Sequence, residues 1–321
     1  MNRRFWNLFE GDHRRNCLKW EHHRGNPVIP AGSKPWKKYW TANPHFLTYN
    51  DELLLYYRGH GYLPGKEDEK HDRISVAKVT DIGANRFAFN DYNDQYAAID
   101  SGFPGEFDEY HVLDPGVTVF NGKVWLYYSA IDRGSPGTDS IGAAVSDDGI
   151  RFTKLGRVFT GRAPDVIVRG GSIWIIYQIL DAESRYRLHL VSSDDGLHFT
   201  QNDGNIIQGI MTPRGWDSFS ITTPRIFKDG EYVYLMYGGS SYLADEPDYF
   251  GLARSRDMLE WEQHPGNPIF GCGPKGSPDG GAIWSPALYE TPDGFALLYE
   301  GSPGKYGWDL DSQICMSWIS G

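Results

Sequence analysis

Short apolar runs separated by turn residues follow one another along most of this chain, and 111–130 shows the pattern most clearly. In its sequence, HVLDPGVTVFNGKVWLYYSA, two apolar and β-branched runs flank Asn121-Gly122. Both turn residues tolerate the positive φ that a tight hairpin turn needs. Pro115 lies near the start of the first run, where its missing N–H disturbs a strand ladder least. The pattern therefore predicts a β-hairpin.

Counting this copy, the hairpin occurs five times along the chain, each time with a proline 13 residues before a tyrosine. The pairs are Pro44 and Tyr57, Pro115 and Tyr128, Pro164 and Tyr177, Pro224 and Tyr237, and Pro286 and Tyr299. A turn lies within each pair, at Asn50-Asp51, Asn121-Gly122, Gly170-Gly171, Asp229-Gly230 and Asp293-Gly294. Strand repeats of this length are typical of solenoids and propellers. Successive prolines are 71, 49, 60 and 62 residues apart, which fits one four-stranded blade with its connections.

We predict an all-β protein that forms a single five-bladed β-propeller domain over residues 1–321. The predicted blades are about 41–90, 111–156, 163–203, 221–264 and 282–318, with loops at 91–110, 204–220 and 265–281. The last repeat ends one strand short, whereas 17–23 has the pattern of a strand without a blade. Because an open ring would leave an edge strand unpaired, we expect 17–23 to complete the fifth blade. Cys17 and Cys315 would then lie on neighbouring strands.

Composition fits this fold and narrows the function. The chain has 321 residues with 40% hydrophobic content, enough for the core of a closed toroid. Aromatic residues make up 15%, including 11 Trp and 20 Tyr, and such rings suit sheet packing as well as stacking on sugars. A net charge of −11 argues against a nucleic-acid partner, since phosphates require a basic surface.

The sequence also bears on compartment. No apolar run approaches the length of a membrane span, and the first residues contain no apolar signal-peptide region. Three cysteines do not make a disulfide framework. We therefore expect a cytoplasmic protein without a membrane partner, although a trimmed secreted chain would have the same features. Nothing in the sequence predicts an oligomeric state.

The inner strand of each propeller blade lines the central axis, so residues around the repeat prolines are expected to face one another at the hub. Directly before the prolines are Asn43, Asp114, Ala163, Thr223 and Ser285. Directly after them are His45, Gly116, Asp165, Arg225 and Ala287. The second strands return to the same face with Arg58, Ser129, Gln178, Gly238 and Glu300. Carboxylates gathered at such a hub cost desolvation energy unless they are paired or used.

Three hub carboxylates are the catalytic candidates, and each also has a structural interpretation. Asp114 could cap the turn before its proline, Asp165 could form an ion pair with Arg225, and Glu300 could be a solvated residue at a loop mouth. The substrate-binding candidates are Trp40, Asn43, His45, Arg58, His60, His111, Gln178, Arg225 and Trp284. We expect the two tryptophans to flank the pocket mouth. No metal ligand and no cofactor is predicted.

The blade pattern and its Asp-Pro and Asn-Pro motifs resemble the five-bladed propeller glycosidases of glycoside hydrolase families 43, 32 and 130. The resemblance covers nearly the whole chain. The opening motifs of family 130 are similar to Asn26-Pro27-Val28, Asn43-Pro44 and Tyr57-Arg58. Its blade-two acid matches Asp114-Pro115, with Gly116 in place of the family's Arg, and family 32 has Arg-Asp-Pro where this chain has Leu113 before Asp114. The three catalytic positions of family 43 are replaced here by Asn43, Ala163 and Thr222.

The resemblance implies a divergent member of this superfamily, nearest in layout to family 130. We expect a glycoside hydrolase that acts on an oligosaccharide or glycoside in a central pocket by carboxylate acid–base chemistry. Asp114 is expected to be one catalytic group, with Glu300 or Asp165 as the other. Arg58, Arg225 and His45 would orient hydroxyls, a uronate or phosphate. The alternatives are a phosphorylase that uses inorganic phosphate and a carbohydrate-binding propeller without catalysis.

Overall fold

The computed structural model describes residues 4–93, 96–132, 139–201, 214–305 and 311–321. Within these ranges the chain is almost entirely β, and five antiparallel sheets are arranged as a five-bladed propeller. The short helices are α1 (Arg4–Asn7) and α2 (His13–Leu18), and one 3₁₀ turn covers Pro35–Lys37. None of the described helices is long and apolar enough to span a membrane. The five antiparallel sheets confirm the predicted fold class, an all-β five-bladed propeller.

The first three blades each contain four strands in chain order. Blade one consists of β2 (Trp40–Tyr49), β3 (Glu52–Gly61), β4 (His71–Gly83) and β5 (Arg86–Asp91). Blade two consists of β6 (His111–Phe120), β7 (Lys123–Ile131), β8 (Ser140–Ser146) and β9 (Thr153–Thr160). Blade three consists of β10 (Arg162–Arg169), β11 (Ser172–Leu180), β12 (Tyr186–Ser193) and β13 (Thr200–Gln201).

The last two blades depart from this simple order. Blade four consists of β14 (Ser220–Asp229), β15 (Tyr232–Ser240), β16 (Tyr249–Ser255) and β17 (Glu262–Gln263). A further short strand, β18 (Phe270–Gly271), lies in the predicted 265–281 loop and also pairs with β16. Blade five consists of β19 (Ala282–Thr291), β20 (Gly294–Ser302), β21 (Gln313–Ser320) and the N-terminal strand β1 (Glu21–His22).

Ring closure by the N-terminal segment is confirmed, because β1 pairs antiparallel with β21 and opposes Glu21 to Trp318. The expected extent of that strand was wrong. Cys17 belongs to α2, where Asp12 accepts the Arg14 N–H and caps the helix, so the chain is helical before it turns into the sheet. Cys17 donates its thiol to the Pro268 carbonyl, and it does not lie on a strand next to Cys315.

All five inner strands carry the same irregularity at the repeat proline. The register shifts there, and the residue before each proline has a positive φ, between 43° and 51°. These residues are Asn43, Asp114, Ala163, Thr223 and Ser285. A bulge of this kind bends the strand and re-aims a side chain, and positive φ in residues other than glycine is strained. Local backbone strain at these five equivalent positions thus shapes the hub.

Tyrosines at the ends of the second strands anchor the loops that precede the blades. Asp108 accepts a hydrogen bond from the Tyr128 hydroxyl over 2.9 Å, and Asp279 accepts one from Tyr299 over 2.6 Å. Blade four repeats the contact between Tyr237 and Asp217. In each case the aspartate comes from a predicted inter-blade loop and lies 20 residues before its tyrosine. The repeated tyrosine therefore fixes long loops against the sheet that follows them.

Candidate active site

Asp114 lies at the bulge of β6 and is 3% exposed. Its Oδ2 atom has no hydrogen-bond partner among the described residues, and the nearest cation is Arg162, whose Nε is 3.7 Å away. A turn cap through Oδ2 would require an N–H donor to this oxygen, and the described residues provide none. A buried carboxylate oxygen left without a donor costs free energy, which favours the functional interpretation of Asp114.

The departure of Gly116 from the family 130 motif has a steric cause. A Cβ at this position would come within 2.5 Å of the Pro164 carbonyl oxygen in blade three. No larger residue fits unless that backbone moves. The guanidinium beside Asp114 comes instead from Arg162, at the start of blade three.

Arg162 gathers three carboxylates, two from blade two and one from blade four. Its Nη1 lies 3.3 Å from Asp245 Oδ2, and its Nε lies 3.8 Å from Asp139 Oδ2 in addition to the Asp114 contact. Arg162 Nη1 also donates to the Tyr186 hydroxyl over 3.2 Å. Asp139, Arg162 and Tyr186 line a cavity together with Gln178.

The environment of the cluster raises the pKa of two of its carboxyl groups, those of Asp139 and Asp245. Burial among protein atoms raises the pKa of Asp245 to about 6, and the negative charges of Asp114 and Asp139 add to the rise against the opposing effect of Arg162. Burial and Asp114 likewise raise the pKa of Asp139. Like charges that share one site favour retention of a proton. Asp245 therefore retains its proton to a higher pH than an ordinary aspartate does.

Glu300 lies across the hub on β20 and is 5% exposed. Its Oε1 is 3.5 Å from Arg58 Nη2, and its Oε2 accepts a hydrogen bond from Asn43 Nδ2 over 3.2 Å. Burial raises the pKa of Glu300, although Arg58 and a hydrogen bond from Ser312 oppose the rise. Asn43 also donates to Ser285 over 2.9 Å, so it orients the glutamate from a bulge of its own.

Asp165 makes different contacts from the other two predicted catalytic residues. It is fully buried, its Oδ1 lies 2.7 Å from His45 Nε2, and its Oδ2 accepts the Ile226 N–H over 2.5 Å. The described contacts contain no ion pair with Arg225, which donates to the carbonyls of Pro224 and Pro44. The His45 contact thus crosses the hub between blades one and three, and the Ile226 contact joins the neighbouring blades three and four. Both oxygens of Asp165 are used in this way, which favours a structural role.

Gln178 bridges two blades and still has an unused donor. Its Oε1 accepts the Thr223 N–H over 2.7 Å, whereas its Nε2 is buried without a hydrogen-bond partner among the described residues. Since Gln178 also lines the cavity beside Arg162, a bound hydroxyl could accept this N–H. Its predicted place in a binding site remains open to test.

Asp72 organises the other predicted binding residues at the edge of the hub, and the sequence analysis missed it. Its carboxylate accepts the Trp40 indole N–H over 3.1 Å and lies 2.9 Å from His111 Nδ1. The Trp40 ring stacks on His60 with centroids 3.7 Å apart. Burial alone would raise the pKa of Asp72, but Arg58, His111 and His60 together outweigh it and hold that pKa well below its usual range.

The two predicted tryptophans have different partners. Trp40 belongs to the Asp72 group, whereas the Trp284 indole N–H donates to the main-chain carbonyl of Asp245 over 2.7 Å. Both rings are only partly buried. Each tryptophan thus positions an acidic residue, and the expectation that both flank one pocket mouth stays a prediction.

The search of solved structures finds many proteins with this fold. Three of them are similar at low identity. One is a β-1,2-mannobiose phosphorylase from Listeria innocua in complex with β-1,2-mannobiose. It is 15% identical, the match covers 94% of this chain and 96% of that chain, and the TM-score is 0.69. Zg3597, a family 117 glycoside hydrolase from Zobellia galactanivorans, is 15% identical with coverages of 93% and 89% and a TM-score of 0.63. A third structure comes from the family 130 mannoside phosphorylases, which contain glycoside hydrolases that target β-1,2-mannosidic linkages. It is 15% identical, the match covers 94% of this chain and 93% of that chain, and the TM-score is 0.64.

The fold is that of the propeller glycosidases. This confirms, at the level of the fold, the resemblance that the blade motifs indicate. No protein-family model matches the sequence, and no curated protein matches it. The structural similarity therefore shows the fold, whereas the chemistry depends on this chain's own residues.

Proposed function

We propose that this protein is a carbohydrate-active enzyme that hydrolyses a glycosidic bond in the hub pocket. The observation that carries the proposal is the convergence of Asp114, Asp139 and Asp245 on Arg162, where burial raises the pKa of Asp245 to about 6. Cleavage of a glycosidic bond needs an acid that protonates the leaving oxygen and a second carboxylate that delivers or acts as the nucleophile. A site that holds several coupled carboxyl groups can supply both forms at once.

The roles follow from burial and contacts. Asp245 lies on the loop between β15 and β16, and about a third of its side chain is exposed, so a substrate can reach it from solvent. We assign it the role of proton donor. Asp114 lies deeper, with one oxygen that accepts no hydrogen bond from the described residues. Together with Glu300 it is the candidate for the second carboxylate.

Charge balance favours hydrolysis over phosphorolysis. Among the described residues, six carboxylates and three guanidinium groups meet at the hub. They are Asp72, Asp114, Asp139, Asp165, Asp245 and Glu300, with Arg58, Arg162 and Arg225. Two of the guanidinium groups already contact carboxylates, and the third donates to main-chain carbonyls. Each guanidinium group of this set is thus already engaged, whereas a phosphate dianion binds best to positive charge that is not yet paired.

The test is a product analysis with and without inorganic phosphate. A panel of aryl glycosides and unlabelled disaccharides, including β-1,2-mannobiose, would be incubated with the wild-type protein and with Asp245→Asn. We expect free reducing sugar at a rate that phosphate does not change. We also expect a loss of roughly a hundredfold or more in turnover for Asp245→Asn on natural leaving groups.

The matched control is Asp147→Asn, which removes a surface carboxylate that pairs with Lys123. It should turn over substrate at the wild-type rate. Formation of a sugar 1-phosphate only when phosphate is present would show a phosphorylase instead. Saccharide binding without turnover of any glycoside would contradict the enzyme and support a carbohydrate-binding propeller.

A further inference from the structure

Two histidines from neighbouring blades point their Nδ1 atoms at one carboxylate. His111 Nδ1 lies 2.9 Å from Asp72 Oδ2, and His60 Nδ1 lies 3.3 Å from Asp72 Oδ1. One donor atom from each of the three residues falls within 4.8 Å of the other two. The group spans β3, β4 and β6, so the packing of blades one and two creates it.

We propose that His60, Asp72 and His111 bind a divalent first-row transition-metal ion such as Zn²⁺ at the edge of the hub. Two imidazole nitrogens and a carboxylate are the donors that zinc and its neighbours prefer. Ligands of one such ion, each bound at about 2.1 Å, lie about 3 to 3.5 Å apart. The distances of both histidines from Asp72 are close to that spacing.

An unpartnered atom supports the site independently. His60 Nδ1 is buried and has no hydrogen-bond partner of acceptable geometry among the described residues, and the residue as a whole is 9% exposed. A buried polar atom without a partner costs free energy. A metal ion between His60 and Asp72 would remove that cost.

The surrounding residues hold the three donors in place. The Trp40 indole N–H donates to Asp72 Oδ1, and the Trp40 ring stacks on His60 with an interplanar angle of 16°. The Tyr110 ring lies against His111 with centroids 3.9 Å apart. Outer contacts of this kind orient ligands and tune metal sites.

Charge at the site also permits a cation. Arg58 is the nearby positive group, with Nε 3.6 Å from Asp72 Oδ1, and its Nη2 is 3.5 Å from Glu300 Oε1. One guanidinium thus faces two carboxylates, which leaves the group negative. The Asp72 N–H donates to His111 Nδ1 over 3.1 Å, and coordination would replace this bond. We therefore expect weaker binding than at a closed four-ligand zinc site.

The proposal is tested without substrate, so its failure is separate from failure of the proposed hydrolysis. Chelator-treated full-length protein would be titrated calorimetrically with Zn²⁺, and Co²⁺ binding would be followed by visible absorption. We expect one bound ion per chain and a thermal midpoint that rises with Zn²⁺ concentration. His60→Ala and His111→Ala should each weaken binding at least about tenfold, since each removes a ligand.

His198→Ala is the matched control, because His198 is an exposed histidine that faces Asp195 in a surface turn. It should bind Zn²⁺ like the wild type. Circular dichroism would check that the histidine variants fold. The proposal is overturned if the wild type binds no Zn²⁺, or if the double variant His60→Ala/His111→Ala binds it with unchanged stoichiometry and affinity.

Discussion

Trp284 donates its indole N–H to the main-chain carbonyl of Asp245 over 2.7 Å. This contact ties the inner strand of blade five to the loop of blade four that carries the proposed proton donor. The loop itself has no regular structure between β15 and β16 except for turns. The position of the Asp245 carboxyl group near Arg162 therefore depends on a hydrogen bond from another blade.

Trp284→Phe keeps an aromatic ring and removes this hydrogen bond. We expect a stability loss of about 1 kcal/mol, the usual net value of one such bond, and a larger effect on the pH–rate profile. A looser loop exposes Asp245 to water and lowers its pKa, so the alkaline limb of kcat/KM should move to lower pH. Trp40→Phe also loses an indole N–H, but its partner is Asp72, and that variant should leave the limb in place. Identical shifts in both variants would contradict the role given to Trp284.

Asp114→Asn should fold normally and lose activity. Asn43 occupies the equivalent bulge of blade one with φ 50°, against 48° for Asp114, so asparagine suits this backbone. We expect turnover to fall by roughly a hundredfold or more, the usual range for an acid–base group. Steady-state kinetics with a thermal melt would separate the two effects. A wild-type rate would return Asp114 to the structural interpretation of a turn cap.

The hub architecture could be predicted from the sequence because each blade contains the same short sequence repeat. A proline, a turn and a tyrosine at fixed spacing identify the inner hairpin of every blade, and they placed Asp114 and Glu300 at the axis. Asp139 and Asp245 could not be found this way, because they lie on loops of unequal length that have no register with the repeat. Their meeting at Arg162 depends on how three blades pack together.

Arg162 did leave a signal in the sequence. It lies two residues before its repeat proline, where the other blades have uncharged residues. These are Ala42, Leu113, Thr222 and Trp284. Because Arg162 is the only charged residue at this position of the repeat, a comparison of the five blades indicates a hub role for it. Asp72 was missed because it opens a third strand, and its convergence with His111 from the next blade is visible only in three dimensions.

Asp245→Asn should change how stability depends on pH. The folded protein holds the proton of Asp245 more tightly than the unfolded chain does, since the pKa rises from 3.8 to about 6. Stability therefore falls as pH rises through this window and changes no further above it. Asparagine removes this slope. We expect the variant to gain on the wild type between pH 4 and 6 by on the order of 1 kcal/mol, a value discounted for the exposed part of the side chain.

Urea unfolding at pH 4, 5, 6 and 7 would measure this difference. Asp147→Asn, the surface control, should stay parallel to the wild type across the series. A difference between Asp245→Asn and the wild type that is constant with pH would mean that Asp245 titrates alike in the folded and unfolded chains.

The last prediction concerns the N-terminal segment that closes the ring. Trp20 directly precedes β1, is 5% exposed and donates its indole N–H to the Ile269 carbonyl over 2.8 Å. It packs with Phe5, Phe9 and Phe270 in a core shared by blades four and five. Trp20→Ala should therefore cost about 3–5 kcal/mol, as for other large buried aromatic residues.

Leu18 provides the control, because it lies two residues earlier and is 84% exposed. Leu18→Ala should change stability by less than about 0.5 kcal/mol. Deletion of residues 1–24 removes β1 together with Phe5, Phe9 and Trp20, and it leaves the β21 edge unpaired. We expect the truncated chain to lose cooperative thermal unfolding. A truncated protein that melts like the full chain would show that the ring holds without the N-terminal strand.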